Sequence, residues 1–275
     1  MPVPVSRLFL PPRALAACVF AAIYRDTRGA NLTESDRVNH FPASPLVSVT
    51  RVIQGNLTIL PDHPAAQGRM QASAGGPPLI MGPRDDPVSS ISPGEVVALT
   101  VGFYPDSWQL LGGTIGSENA PRCIVEGLMH FGKTHDPERD WQHFCTAIQA
   151  EWEGMRSPEW TVKARLLDWA KAATARAALS GTGRSLRSIE RRLKRSSGHT
   201  RRTLDFYAAF ETLHRVAHQN PKSALADIAL ASGYSDQSHM GRAVRSATGF
   251  TPSRLNRAIR LEEPFWCYRL LGERF

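Results

Sequence analysis

Residues 225–252 constrain this chain more than any other segment. Leu225, Ile228 and Ala229 fall at i, i+3 and i+4, one apolar stripe on a short helix, with Pro221 and Ser223 just upstream as start signals. Gly233 breaks that helix, and a glycine supplies the positive φ that a tight turn demands. Ser235 or Asp236 can cap a second helix by accepting a hydrogen bond from its free amides. Met240, Val244 and Ala247 give this second helix its own inner stripe, Gly249 ends it, and Pro252 bars its continuation. Two short helices joined in this way read as a helix-turn-helix, a geometry that presents one helix to the DNA major groove, a slot about 12 Å wide. Helix packing without DNA is the plainer alternative.

The opposite face of the second helix carries Gln237, Ser238, His239, Arg242 and Arg245, side chains able to hydrogen-bond base edges or phosphates. By position along the helix, Gln237, Ser238, His239 and Arg242 are the base-contact candidates. With the Gly-Phe-x-Pro ending at Gly249, Phe250 and Pro252, these residues closely resemble the second helix-turn-helix of the AraC/XylS family of bacterial transcription regulators.

That resemblance implies a first helix-turn-helix about fifty residues upstream, joined to the second by a long helix. Residues 185–197 supply a candidate, with Leu186, Ile189 and Leu193 as the expected buried stripe and Gly198 as its stop. Between residues 184 and 202 eight cations (Arg184, Arg187, Arg191, Arg192, Lys194, Arg195, Arg201 and Arg202) face the single carboxylate of Glu190, a density suited to phosphate neutralisation. Arg187, Glu190 and Arg191 are the base-contact candidates of this unit, and Lys194, Arg195, Arg201 and Arg202 are assigned to phosphates. Residues 162–179, with Leu166, Leu167 and Ala170 in register, read as the scaffold helix of this unit, although the turn at residues 180–184 is longer than that of the second unit. Phe206, Phe210, Leu213 and Ala217 repeat at helical spacing and mark residues 203–217 as the connecting helix. The bland reading of the arginine run is a solvated helix face.

Charge divides the chain the same way. Residues 1–156 hold 12 Lys/Arg and 15 Asp/Glu, whereas residues 157–275 hold 21 and 10, so a net charge of −3 is followed by one of +11. A basic region joined to a slightly acidic one is the electrostatic footprint of a nucleic-acid reader attached to something that does not bind nucleic acid. The expected organisation is a β-rich effector or dimerisation domain over residues 1–156, a DNA-binding domain over 157–260 and an aromatic tail over 261–275. Cys18, Cys123, Cys145 and Cys267 form no CxxC pair and read as buried thiols, which fits a reducing cytoplasm. Residues 14–24 are an apolar run that resembles a signal-peptide core, but Pro11 and Pro12 interrupt its approach, and it is too short to span a bilayer as a helix.

The N-terminal half is punctuated by proline and glycine, with β-rich runs at residues 46–53, 57–60, 79–82 and 96–103. Short strands with turn signals between them suggest a small barrel or sandwich, followed by helices near 106–111 and 140–155. Residues 24–29, 39–46, 101–106 and 262–270 resemble those of a less studied AraC-type subgroup. The tail aromatics Phe265, Trp266 and Tyr268 either dock onto one of the two domains or form a local hydrophobic cap.

Chemistry is hard to find. His40, His63, His130, His135 and His143 are scattered rather than convergent on one ion. His214 and His218 stand four apart but lack the glutamate of a zinc hydrolase and read as surface histidines, and the glycines of residues 180–185 lack the lysine of a phosphate loop. None of the four cysteines sits in the methyl-accepting motif that some AraC-type repair regulators carry. The expected fold class is therefore α+β: a small β-rich, barrel- or sandwich-like N-terminal domain with helices, and an all-α C-terminal domain with two helix-turn-helix units. The expected partners are double-stranded promoter DNA, a small-molecule effector, RNA polymerase if the chain is an activator, and a second copy as a homodimer. No cofactor, enzymatic activity or membrane is called for, and the cytoplasm is the expected location. The rival is a metal-dependent or enzymatic β-barrel carrying a C-terminal protein-interaction module.

Overall fold

The computed structural model describes residues 3–60, 70–156, 165–180 and 185–273. His63, Arg184, residues 162–164 of the expected scaffold helix, residues 181–184 of its turn and the expected boundary after residue 156 lie outside or at the edge of the described residues.

Nine strands form two antiparallel sheets. They are β1 (Val5–Phe9), β2 (Val19–Asp26), β3 (Val38–Phe41), β4 (Val47–Gln54), β5 (Asn56–Leu60), β6 (Gln71–Ser73), β7 (Leu79–Met81), β8 (Val88–Ile91) and β9 (Val97–Phe103). One sheet has the order β1-β2-β9-β4-β7 and the other β3-β8-β5-β6. The four runs read as strands correspond to β4, β5, β7 and β9. The apolar run at residues 14–24 begins in a short 3-10 helix (Arg13–Leu15) and its second half enters β2, which pairs with β1 and β9 inside the larger sheet. β1, β3, β6 and β8 were not legible as strands: all four have five residues or fewer with Ser, Asn or Gln among them, too little apolar pattern to register.

The alternation along the strands decides what each face of the larger sheet does, because successive side chains point to opposite faces. Val47 and Val49 of β4, with Leu99, Val101 and Phe103 of β9, enter the main core. Against them pack α1 (Pro105–Leu110), α2 (Arg122–Met129) and α3 (Pro137–Met155) through Trp108, Ile124, Leu128, Phe144, Ile148 and Trp152, all fully buried. Burial of side chains this size stabilises by roughly 1.5–3 kcal/mol each. The intervening residues Ser48, Thr50, Thr100 and Gly102 face the second sheet and line an inter-sheet cavity of 140 Å³. The α3 helix starts three residues earlier than its periodicity suggests, because Asp136 caps the amides of Glu138 and Arg139 and Pro137 occupies the first turn.

The C-terminal part is helical: α4 (Leu166–Leu179), α5 (Leu186–Ser197), α6 (Arg201–Gln219), α7 (Leu225–Ala231), α8 (Gln237–Thr248), α9 (Pro252–Leu261) and α10 (Trp266–Glu273). One cluster joins α4, α5 and α6 to the β region through Trp169, Leu193 and Tyr207 against Phe20, Leu46 and Tyr104. A second cluster packs α6 to α10 together around Leu213, Ile228, Met240, Val244, Leu255 and Tyr268. The α+β architecture is thus present, with one correction to the packing of α5. Leu186, the first residue of α5, is 82% exposed, and the inward stripe is Ile189 and Leu193.

The tail is docked, and onto both parts at once. Trp266 is buried and donates its indole N–H to Asn39 Oδ1 at 2.7 Å, beneath the Arg25 guanidinium at 4.9 Å. Phe265 meets both His40 of β3 and Phe250 beyond α8, with ring centroids 4.9 and 5.0 Å away. Cys18, Cys145 and Cys267 are buried and Cys123 half-buried, all as thiols. No described helix is long and apolar enough to cross a membrane.

Candidate nucleic-acid interface

The second helix-turn-helix is built by its turn. α7 closes at Ser232, and Gly233 adopts φ +85°, the left-handed conformation that lets the chain reverse. Of the two possible caps Asp236 is the one used: its carboxylate accepts from the His239 amide at 2.7 Å, while the Ser235 hydroxyl donates to the same carboxylate at 3.1 Å. The amide bond first, then the hydroxyl, hold the Asp236 carboxyl below the usual carboxylate range. Met240, Ala243, Val244, Ala247 and Thr248 are buried and define the inner face of α8.

Gln237, Ser238, His239, Arg242 and Arg245 are all exposed. Ser238, Arg242 and Arg245 stand at i, i+4 and i+7 and form one stripe. His239 differs from its neighbours. Its Nδ1 lies 3.2 Å from Ser235 Oγ and its ring stands edge-on to Tyr234 at 5.3 Å, so the turn sets its orientation.

The first unit has a similar frame. Ser185 caps α5 by accepting from the Ser188 amide at 3.2 Å, and Gly198 ends the helix at φ +78°. Arg187, Glu190, Arg191, Lys194 and Arg195 are exposed at i, i+3, i+4, i+7 and i+8, a continuous stripe two turns long. Arg192 does not belong to it: its Nε donates to the Ala177 carbonyl at 2.7 Å and helps fix α5 on α4. Arg201 and Arg202 are exposed in the first turn of α6. Arg201 is 3.9 Å from Asp205, both side chains 67% exposed, and a surface pair of this kind is worth about 0–1 kcal/mol, too little to withdraw the cation from a phosphate.

Sequence reasoning missed what holds these units from behind. The loop between β7 and β8 lies along the first unit: Asp85 is 3.1 Å from Nδ1 of the buried His199, and Tyr207 donates its hydroxyl to the Arg84 carbonyl. Burial is the main influence on His199 and lowers its pKa, with Asp85 opposing. Gln109 of α1 donates to the Arg195 carbonyl at 2.9 Å. The loop after β3 reaches α8, where the Ala43 amide donates to the Ala247 carbonyl at 2.8 Å. No local pattern announces any of these contacts, since each joins residues more than eighty positions apart.

Of the two histidines read as surface residues, only His214 departs from that expectation. His218 is exposed, but His214 is half-buried within α6, and burial pushes its pKa down to about 4. Among the described residues no group of three or more His, Cys, Asp or Glu could hold a metal ion.

No family model matches this chain, and no curated protein matches it either. Among solved structures, an apo form of ToxT from Vibrio cholerae aligns at 10% identity over 92% of this chain and 97% of that one, with a TM-score of 0.44. The AraC-like transcriptional activator CuxR aligns at 13% identity over 89% of this chain and 100% of that one, with a TM-score of 0.29. At such identities and scores the likeness carries no weight for function.

Proposed function

We propose that this chain is a sequence-specific, DNA-binding transcription regulator of the AraC/XylS type, with α5 and α8 as its two recognition helices. The observation that carries the proposal is the pair of exposed stripes on capped helices: Arg187, Glu190, Arg191, Lys194 and Arg195 on α5, and Ser238, Arg242 and Arg245 on α8. Both helices pack on α6, a rigid element of 19 residues that can set two helices about 34 Å apart, one turn of B-DNA. Gln237, Ser238, His239 and Arg242 then read base edges, together with Arg187, Glu190 and Arg191. Lys194, Arg195, Arg201 and Arg202 neutralise phosphates. The first unit, richer in cations, serves as the stronger phosphate anchor and the second as the base reader.

In this reading residues 157–260 form the DNA-binding domain and residues 1–156 modulate it, through a small-molecule effector in the inter-sheet cavity or through a homodimer. The tail lines this cavity, with Cys267 and Leu271 beside Phe41 and Arg84, so an occupant would touch both parts of the chain. The chain works in the cytoplasm, is not an enzyme, and engages RNA polymerase if it activates. Selection of bound sites from random DNA tests the core of this proposal. The expected result is one motif of two half-sites spaced by about one helical turn. Recovery of no motif, or of a single short half-site, would overturn it.

A further inference from the structure

A second and larger cavity lies inside the C-terminal helices, where α6, α7, α8, α9 and α10 converge. It is a cleft of 470 Å³, partly open to solvent, within the range of about 300–1,000 Å³ occupied by drug-sized ligands. Its walls are mostly apolar, with Phe210, Leu213, Ile228, Met240, Val244 and Leu255 on four of the helices. Neighbouring helices normally interdigitate their side chains, so a concave cleft of this size left between five helices has the form of a ligand site.

Of the polar residues lining this cleft, His218, Asn256 and Arg260 are exposed to solvent, and the more buried Arg269, His214 and Tyr268 narrow the ligand chemistry. Arg269 is already committed, its guanidinium bonding to the Ile259 and Glu262 carbonyls at 2.9 Å and to the Glu263 carboxylate at 3.0 Å. His214 is neutral near pH 7, because burial holds its pKa at about 4. Tyr268 is different: it lines the cavity, is 1% exposed, and its hydroxyl has no hydrogen-bond partner among the described residues. A buried hydroxyl left unpaired is destabilising, and a ligand oxygen would relieve that.

We infer that this cavity is a binding site for an uncharged, mainly apolar small molecule carrying one carbonyl or hydroxyl oxygen that pairs with the Tyr268 hydroxyl. The site is separate from the inter-sheet cavity. Its floor is the inner stripe of α8, Met240 and Val244, so an occupant presses directly on the helix whose outer face bears Arg242. The inference stands on the cavity and its one unpaired hydroxyl, whether or not α8 reads DNA.

Benzophenone is a suitable probe, being uncharged, photoreactive and equipped with one carbonyl oxygen; diphenylmethane has nearly the same shape and no oxygen. Titration of the full chain by calorimetry is expected to show both binding, and Tyr268→Phe to weaken benzophenone about five-fold or more while leaving diphenylmethane unchanged. Irradiation followed by peptide mapping is expected to place the benzophenone adduct on Met240 or its neighbours in the cavity. Ala217→Trp, which fills the cavity, should abolish both; if that variant does not fold, the adduct map on the unaltered chain decides. Adducts at Met81 or Leu57 of the inter-sheet cavity in place of Met240, equal weakening of both probes by Tyr268→Phe, or no binding by either would overturn the inference.

Discussion

The backbone amide of Ala43 donates to the carbonyl of Ala247 at 2.8 Å, tying the loop after β3 to the last turn of α8. A helix leaves its final carbonyls without intrahelical partners, and here the β region supplies one of the missing donors. The candidate recognition helix is therefore positioned partly by residues two hundred positions away. Because this amide is released only when the two parts separate, its hydrogen exchange is expected to match that of the α8 core amides. Fast exchange at Ala43 beside slow exchange at Val244 would show that the contact does not hold in solution.

Arg242 tests the base-reading assignment. If it reads a guanine, Arg242→Ala costs about 1–3 kcal/mol on the selected site and blurs one base position. Competition binding against single-base variants of that site distinguishes the cases, since a uniform loss across all sequences would demote Arg242 to a phosphate contact.

Arg201 and Arg202 test the electrostatic assignment. Replacing both with alanine is expected to flatten the dependence of log K on log salt by roughly 2 units. An unchanged slope in a salt titration would place this pair away from DNA.

The tail contact has a cost of its own. Trp266→Phe keeps an aromatic side chain, though a smaller one, and leaves the buried Asn39 Oδ1 without the indole donor, so a loss of at least about 1–3 kcal/mol in urea-unfolding stability is expected. Trp266→Phe and Asn39→Leu together should lose less than the sum of the two single changes, and simple additivity would deny the pair its coupling.

His214 gives a pH dependence with a definite sign. Its folded pKa, about 4, lies below the ordinary histidine value near 6.5, so the folded state favours the neutral ring. The stability it contributes is present in full above the unfolded value and is lost as pH falls from there through the folded value. His214→Gln should accordingly show a shallower decline in unfolding free energy between about pH 6.5 and pH 4 than the unaltered chain. Parallel declines would mean that the ring takes up its proton without penalty.

The second helix-turn-helix was legible nearly residue by residue. Its signals are local: an apolar stripe at i, i+3 and i+4, a glycine at positive φ, a capping carboxylate and a glycine stop, all within 28 positions. The exposed candidates on α8 and α5 followed from the same periodicity, because a helix that buries one stripe must show the other. Leu186 and Arg192 are where this failed. A residue's place on a helical wheel does not say whether the partner helix extends far enough to cover it, and a long cationic stem can turn inward when a carbonyl awaits it.

What the tertiary structure alone decided is the company these helices keep. The alternation of Val47 and Val49 with Ser48 and Thr50 was visible as a strand, yet only the arrival of α1 to α3 on one face and a second sheet on the other made the first face core and the second a cavity wall. Asp85 beside His199, Ala43 beneath α8 and the hydroxyl of Tyr268 within a cavity join positions whose separation along the chain carries no pattern. Periodicity encodes which face of an element is apolar, because that depends on the element's own geometry. Which element covers that face, and what space is left between them, depends on how side-chain volumes from distant segments fill one interior.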